Sequence, residues 1–143
     1  MRGLAILLVS VTLGLQGCAS RGCSEVGGFD GITVEISHAL FVATGSVTVE
    51  VCDADGCASA TQRLGPVPEG RVGREASVTF DDLGRSFEPD QVAVTVELNN
   101  SKDEAVASAR QDVQLTRSYP NGKSCDGEGY VVGTLALDAG DRL

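Results

Sequence analysis

The chain has 143 residues, and its 20 aspartates and glutamates outnumber its 11 lysines and arginines, for a formal net charge of −9. This acidity argues against a nucleic-acid partner, because phosphates are bound through clustered Lys and Arg side chains. The length suits a single domain, and the scarcity of aromatic residues predicts a small aliphatic core that needs covalent support.

The chain begins with one basic residue, Arg2, followed by a short apolar run that ends at Leu15. The run is shorter than the roughly 20 apolar residues needed to span a hydrocarbon core. A positive charge, a short apolar stretch and small residues after it are typical of a secretory signal peptide. We therefore expect residues 1–17 to be cleaved on export.

The end of this run, Leu15-Gln16-Gly17-Cys18, resembles the lipobox of bacterial lipoproteins. The resemblance implies cleavage before Cys18 and a diacylglyceryl anchor on its sulfur, which would hold the chain on the extracytoplasmic face of the cell membrane. Where the organism has an outer membrane, the following Ala19 permits sorting to it. Two acyl chains anchor a protein stably, whereas one alone binds reversibly. The alternative is an ordinary signal peptide, with Cys18 free or paired.

The chain contains five cysteines: Cys18, Cys23, Cys52, Cys57 and Cys125. Lipidation of the first leaves four, an even number that is typical of two disulfides in an exported protein. Cys52 and Cys57 flank the turn of one predicted hairpin on its polar face, within disulfide reach of each other. We therefore predict the pairs Cys52–Cys57 and Cys23–Cys125.

Residues 18–28 are small and polar and predict a short tether, followed by a domain over residues 29–143. In that domain, β-branched residues recur at every second position between turn-forming segments, which is the pattern of half-buried strands. The predicted strands cover residues 31–37, 46–52, 57–63, 74–80, 91–98, 105–116 and 130–138. The sixth segment also fits a helix, and its strand neighbours favour the strand.

These strands predict an all-β fold that resembles an immunoglobulin-like antiparallel β-sandwich of about seven strands, without the core Trp and cysteine spacing of antibody domains. The segments VEVCDADGCASA and RSYPNGKSCDGEGY are similar to those of small lipoproteins of actinobacterial type. This second resemblance implies no activity.

Several acidic loop residues are weak candidates for binding calcium. Asp53 and Asp55 are spaced as at the start of an EF-hand loop, but Leu64 occupies the position of the bidentate Glu, so the motif fails. Two further acidic pairs lie in other predicted loops, namely Asp126 with Glu128 and Asp81 with Asp82. We predict no metal site and no cofactor.

Catalytic motifs are missing from the sequence, and His38 is its single histidine, so we do not expect an enzyme. Tyr119 and Tyr130 flank the loop that carries Cys125, where they either form a binding patch or cap the end of the sandwich.

The sequence therefore predicts a non-enzymatic interaction or accessory module of the cell envelope, held in the bilayer by its lipid anchor and acting on an envelope protein or a ligand. Two alternatives stay open. One is a small-ligand or calcium-binding envelope protein that uses the acidic loops, and the other is a hydrolase with an unrecognised site.

Overall fold

The computed structural model describes Cys23, residues 26–66 and residues 73–143. The predicted signal peptide, Cys18 and much of the predicted tether lie outside the described residues.

The described chain forms two four-stranded sheets packed face to face, which confirms the predicted β-sandwich. The strands are β1 (Gly31–Ser37), β2 (Ser46–Asp53), β3 (Gly56–Arg63), β4 (Gly73–Thr79), β5 (Gln91–Asn99), β6 (Ala105–Gln114), β7 (Thr116–Ser118) and β8 (Tyr130–Leu137). Three single-turn helices connect them, namely α1 (His38–Phe41), α2 (Phe80–Leu83) and α3 (Lys123–Asp126). The strand orders are β4-β1-β8-β7 in the first sheet and β3-β2-β5-β6 in the second.

The period of two in the sequence decides which side chains enter the core. In β2, Val47, Val49 and Val51 are fully buried, whereas Thr48 and Glu50 point away from the facing sheet. The same alternation runs through β1, β5 and β8, and it gives a core made of aliphatic side chains with three phenylalanines. Because each sheet buries only one face, a shift of one residue would expose every apolar side chain, which fixes the register.

The predicted sixth strand, residues 105–116, is two strands. β6 stops at Gln114, the chain crosses at the buried Leu115, and β7 joins the other sheet. A Cβ on Gly133 of β8 would lie 2.7 Å from Leu115 Cδ2, so the missing side chain makes room for the crossing. The strand prediction is thus confirmed over the helix alternative, but the described residues form eight strands rather than about seven.

The predicted fourth strand ends one residue early, at Thr79, because a capping box starts α2 there. Thr79 Oγ1 accepts from the Asp82 amide at 3.1 Å, and Asp82 Oδ2 accepts from the Thr79 amide at 3.0 Å. The next residue, Phe80, is buried against Phe87, with ring centroids 5.1 Å apart.

One strand pair corrects the antiparallel prediction. Five of the six pairs in the described chain are antiparallel, but β1 and β8 run parallel, from Gly31 beside Val132 to Ile36 beside Leu137. Parallel neighbours cannot be joined by a tight hairpin. Here the first and last strands of the domain meet instead, and both start from the same end of the sandwich.

That end gathers residues 26–30, the β2–β3 turn, residues 80–90 and residues 119–129, together with both disulfides. We call it the disulfide end. The opposite end carries α1, the β5–β6 hairpin and the C-terminal residues.

Candidate functional site

Both disulfides form as predicted. Cys52 and Cys57 stand opposite each other in the β2–β3 register, with their Cα atoms 4.0 Å apart. Cys23 and Cys125 are 102 residues apart in sequence and join with a Cα separation of 5.7 Å. Since the sequence has five cysteines, these two bonds leave Cys18 as the one without a partner cysteine in the chain.

Asn121 fixes the segment before β1 to the Cys125 loop. Its Nδ2 donates to the Val26 carbonyl at 2.8 Å, and its Oδ1 accepts from the Val26 amide at 3.1 Å. Asp126 orients this side chain by accepting from Asn121 Nδ2 at 2.7 Å and from its amide at 2.8 Å. Val26 and Gly28 of the predicted tether therefore lie against the sandwich, and Cys23 is joined to it through Cys125.

Tyr119 and Tyr130, the predicted patch residues, are both half-buried at the disulfide end. The Tyr130 ring lies against Gly28, where any Cβ would overlap it. The Tyr119 ring lies against Gly129, which has a φ of +74°, and Lys123 Nζ stands 5.3 Å from its centroid. Each tyrosine ring therefore packs against a glycine with part of its surface, and the rest of the side chain is partly exposed to solvent.

An open groove of about 750 Å³ lies between the β2–β3 turn and the segment that follows α2. Its lining includes Asp53 and Asp55 from the turn and Arg85, Phe87 and Glu88 from the facing segment. Phe87 is 4 % exposed and connects the groove to the core. A concave, mixed polar and apolar surface of this size is a suitable shape for a ligand or a protruding partner side chain.

Arg85 joins the two walls of the groove. Its Nη2 donates to both carboxylate oxygens of Asp53, at 2.5 and 2.6 Å, and its Nη1 donates to the Gly56 carbonyl at 2.9 Å. The guanidinium carbon also stands 4.9 Å from the centre of the Phe87 ring. This side chain therefore acts as a brace that holds the turn and the facing segment in one geometry.

The brace changes the acidity of Asp53. Burial raises the pKa of this carboxyl, but hydrogen bonds from Arg85 and from the amides of Asp55 and Gly56 outweigh it, so the pKa lies below its ordinary value. The pKa of Asp82 is also lowered, because the Thr79 hydroxyl and amide both donate to its carboxylate. Both groups are therefore charged, and already engaged, at neutral pH.

The weak calcium candidates form no cluster of three metal ligands in the described part of the chain. Asp53 is engaged by Arg85 and Asp126 by Asn121, and none of Asp53, Asp55, Asp126 and Glu128 joins a group of three potential metal ligands within the described residues. Only Glu50, Cys52 and Cys57 form such a group in that part of the chain, and the two sulfurs are bonded to each other.

The groove was not predicted from the sequence. One of its walls is formed by residues 84–90, and no pattern in that segment indicates that it faces the β2–β3 turn. Arg85 and Asp53 are 32 residues apart, and no local pattern shows that they meet. His38 is exposed at the start of α1, at the opposite end of the sandwich. Asp81 is exposed in α2, next to the Asp82 of the capping box.

Across the described ranges, no helix is long and apolar enough to cross a membrane. A comparison of the chain with protein-family models, with curated proteins and with solved structures finds no match.

Proposed function

We propose that the protein is an exported lipoprotein, anchored through Cys18, whose sandwich is a non-enzymatic interaction module of the cell envelope. The observation that carries the proposal is the pairing of Cys23 with Cys125 and of Cys52 with Cys57. Structural disulfides form and persist in oxidising compartments outside the cytoplasm. The pairing also leaves the lipobox cysteine as the odd one, which agrees with a sulfur that carries lipid.

We place the interaction surface at the disulfide end, because its loops are held rigidly before any partner arrives. The Cys52–Cys57 bond and the Arg85 brace restrain the groove, and the Cys23–Cys125 bond and the Asn121 contacts restrain the other loops of this end. A preorganised surface loses less conformational entropy on binding. Asp55 and Asp90 on the groove rim favour a partner that presents basic groups, as does Glu88, whose Oε2 lies 3.7 Å from Arg117 Nη2 but remains exposed.

The anchor would keep this end close to the bilayer. Five residue steps separate Cys18 from Cys23, and an extended chain covers at most about 18 Å over them. The disulfide to Cys125 transfers that limit to the β7–β8 loop at the disulfide end. The partner would therefore be a protein or ligand located at the membrane surface.

The domain resembles immunoglobulin domains in architecture alone: both have two packed sheets with loops gathered at the ends. The order β3-β2-β5-β6 differs from the ABED order of immunoglobulin constant domains. A shared architecture does not by itself give a function, so the proposal takes its support from the disulfide end.

The residues of the groove support a non-enzymatic role. Ser86 is the one hydroxyl among the residues that line it, and His38, the single histidine of the sequence, lies at the opposite end of the sandwich. A nucleophilic serine needs a base within hydrogen-bond reach. The Asp53 carboxylate, which could orient such a base, is engaged by Arg85.

The first test is the intact mass of the protein extracted from membranes, before and after reduction and alkylation, with Cys18→Ala as the matched control. We expect a chain that begins at Cys18 and carries a diacylglyceryl group, with four alkylated thiols that appear only after reduction. Cys18→Ala should leave the membrane fraction and keep both disulfides. A soluble wild-type chain with five alkylatable thiols would refute the anchor.

The interaction surface is tested by site-specific photo-crosslinking in intact cells. Probes at Asp55 and Glu88, on the groove rim, are compared with a probe at Lys102, which is also exposed and lies at the opposite end. We expect the same neighbour from both rim positions and none from Lys102. A reproducible neighbour at Lys102 alone would move the interaction surface to the opposite end.

A further inference from the structure

The four edges of the two sheets are not equally protected. β7 has only three residues, and β6 is covered by the C-terminus, where Arg142 bridges Ala107 and the Leu143 amide donates to the Val106 carbonyl at 3.3 Å. β4 carries two adjacent charged residues at its start, of which Arg74 donates to the Gly65 carbonyl at 2.7 Å. Short length, covering segments and charged residues are the usual devices against edge-to-edge pairing.

The edge of β3 is less protected, although α2 packs against this strand and Arg85 Nη1 donates to the Gly56 carbonyl at 2.9 Å. Its eight residues, GCASATQR, include no proline, no lysine and no acidic residue, and its one charge, Arg63, is the last residue. Ala58 and Ala60 are partly buried against the core, and the other six residues are exposed. No described residue pairs with the outer side of this strand.

The register shows which backbone groups face outward. The Cα atoms of Cys52 and Cys57 are 4.0 Å apart, a separation that fits a non-hydrogen-bonded antiparallel pair and not the wider hydrogen-bonded pair. Since the pair types alternate, residues 58, 60 and 62 bond to β2, and Cys57, Ser59, Thr61 and Arg63 direct their N–H and C=O groups away from the sheet.

We propose that this edge pairs with β3 of a second copy of the chain, antiparallel, about a two-fold axis at Ala60. The axis matches Ser59 with Thr61 of the partner subunit and Cys57 with Arg63 of the partner subunit. All four outward-facing residues then meet outward-facing residues, and the second sheets of the two copies become one sheet of eight strands. Ser59, Ala60 and Thr61 are small, so the two backbones can reach ladder distance.

A second copy fits better than an unrelated extended segment. About Ala60, the small residues Ser59 and Thr61 face each other and the disulfide-bonded Cys57 faces Arg63, so no two like charges stand opposite each other. The strand also brings no acidic side chain to a contact between two chains that each carry a net charge of −9. One strand pair buries less surface than the roughly 1,200–2,000 Å² of stable interfaces, so we expect a weak dimer. Added salt should strengthen the dimer, because it screens the repulsion between the two acidic chains.

The dimer is compatible with the anchor and does not depend on it. When the two-fold axis lies along the membrane normal, both Cys23 segments stand at the same height above the bilayer. Anchoring two chains in one membrane also raises their effective concentration, which favours a weak contact.

The first measurement is sedimentation equilibrium of the full protein, purified from the envelope in density-matched detergent. Ser59→Pro removes an outward N–H at a position where an edge strand tolerates proline, and Ser59→Ala keeps it. We expect dimers for the wild type and Ser59→Ala, and an association constant lowered roughly tenfold or more for Ser59→Pro. A wild type that stays monomeric at millimolar concentration in high salt overturns the proposal.

The second measurement reports the register and does not need the proline variant to fold. Ala60→Cys puts a new thiol beside its own copy at the axis, whereas Ala58→Cys puts a thiol on the same face about 13 Å from its copy, four residue steps away. We expect mild oxidation to give a covalent dimer with Ala60→Cys alone. Equal crosslinking of both variants, crosslinking of neither, or a crosslink to another protein would each overturn the proposal. Both cysteine variants are made in the Cys18→Ala background, which removes the one other cysteine outside the two disulfides, so failure here is distinct from failure of the proposed anchor.

Discussion

The two ends of the sandwich hold their loops by different means. At the disulfide end, the contacts join residues far apart in sequence, such as Cys23 to Cys125 and Arg85 to Asp53. At the opposite end, Arg142 also donates to the distant Ala39 carbonyl at 2.6 Å, but the β5–β6 turn is closed locally, because Asn100 Oδ1 accepts from the amides of Lys102 and Glu104 at 2.8 and 3.0 Å.

The difference follows from the connections that each end contains. A short hairpin satisfies its backbone polar groups within a few residues, as the turn at Asn100 does. The disulfide end instead collects the segments that lead into β1 and β8, two parallel strands that no hairpin can join. The Cys23–Cys125 bond links those two segments and thereby joins the first and last strands at the end where both begin.

The largest effect expected from this comparison is the loss of the long-range disulfide. Cys23→Ser combined with Cys125→Ser should lower the free energy of unfolding by about 4 kcal/mol, because a loop of 102 residues is no longer closed in the unfolded chain. Urea unfolding followed by circular dichroism measures the loss. A loss no larger than that of the Cys52–Cys57 pair would show that the long-range bond is not the main restraint.

Removing the local disulfide should have a smaller effect. Cys52→Ser combined with Cys57→Ser opens a loop of only a few residues, so the free energy of unfolding should fall by about 2 kcal/mol in the same urea experiment. The hairpin should persist, because the β2–β3 ladder and the bond from Arg85 to the Gly56 carbonyl remain. A loss that matches the Cys23–Cys125 variant would contradict the entropic account of both bonds.

At the opposite end, Asn100→Ala removes the side chain that closes the turn. The free energy of unfolding should fall by about 1 kcal/mol, since three hydrogen bonds are lost but their partners are exposed to water. Thermal unfolding, with the exposed neighbour Ser101→Ala as the control, measures the change. An effect as large as that of either disulfide would mean that the two ends do not differ in the way proposed here.

The smallest effect concerns pH at the groove. The pKa of Asp53 is lower in the folded chain than its ordinary value of 3.8, so its contribution to stability is present above that value and is lost as the pH falls through the folded pKa. Arg85→Met removes the largest lowering contribution. Between pH 7 and pH 3 the variant should therefore lose less stability than the wild type.

Urea unfolding of the wild type and of Arg85→Met at pH 7 and at pH 3 tests this expectation, with the midpoint of unfolding as the measured quantity. Asp82 also loses stability over the same range, but its capping box with Thr79 is present in both proteins and cancels in the comparison. Equal losses in the wild type and in Arg85→Met would show that the brace does not control the acidity of Asp53.

The strands were predictable because their signal is local. In β2 and β5, every second residue is a buried valine or leucine, and a sheet with one buried face imposes that period. The disulfides were predictable for a related reason, since Cys52 and Cys57 flank one turn and only two other cysteines follow the lipobox. The boundary at Thr79 was missed, because Phe80 continues the apolar alternation although the capping box ends the strand before it.

The sequence by itself determined the class of fold, the inward side chains and the pairing of the cysteines, because these depend on residues close together in the chain or on their number. Only the tertiary structure decided the parallel β1–β8 pair, the crossing at Leu115, the Arg85 brace and the open edge of β3. Each of these depends on which distant segments share an end or an edge. That choice is made by packing the whole core, where Gly133 of β8 leaves the space that Leu115, at the crossing from β6 to β7, fills.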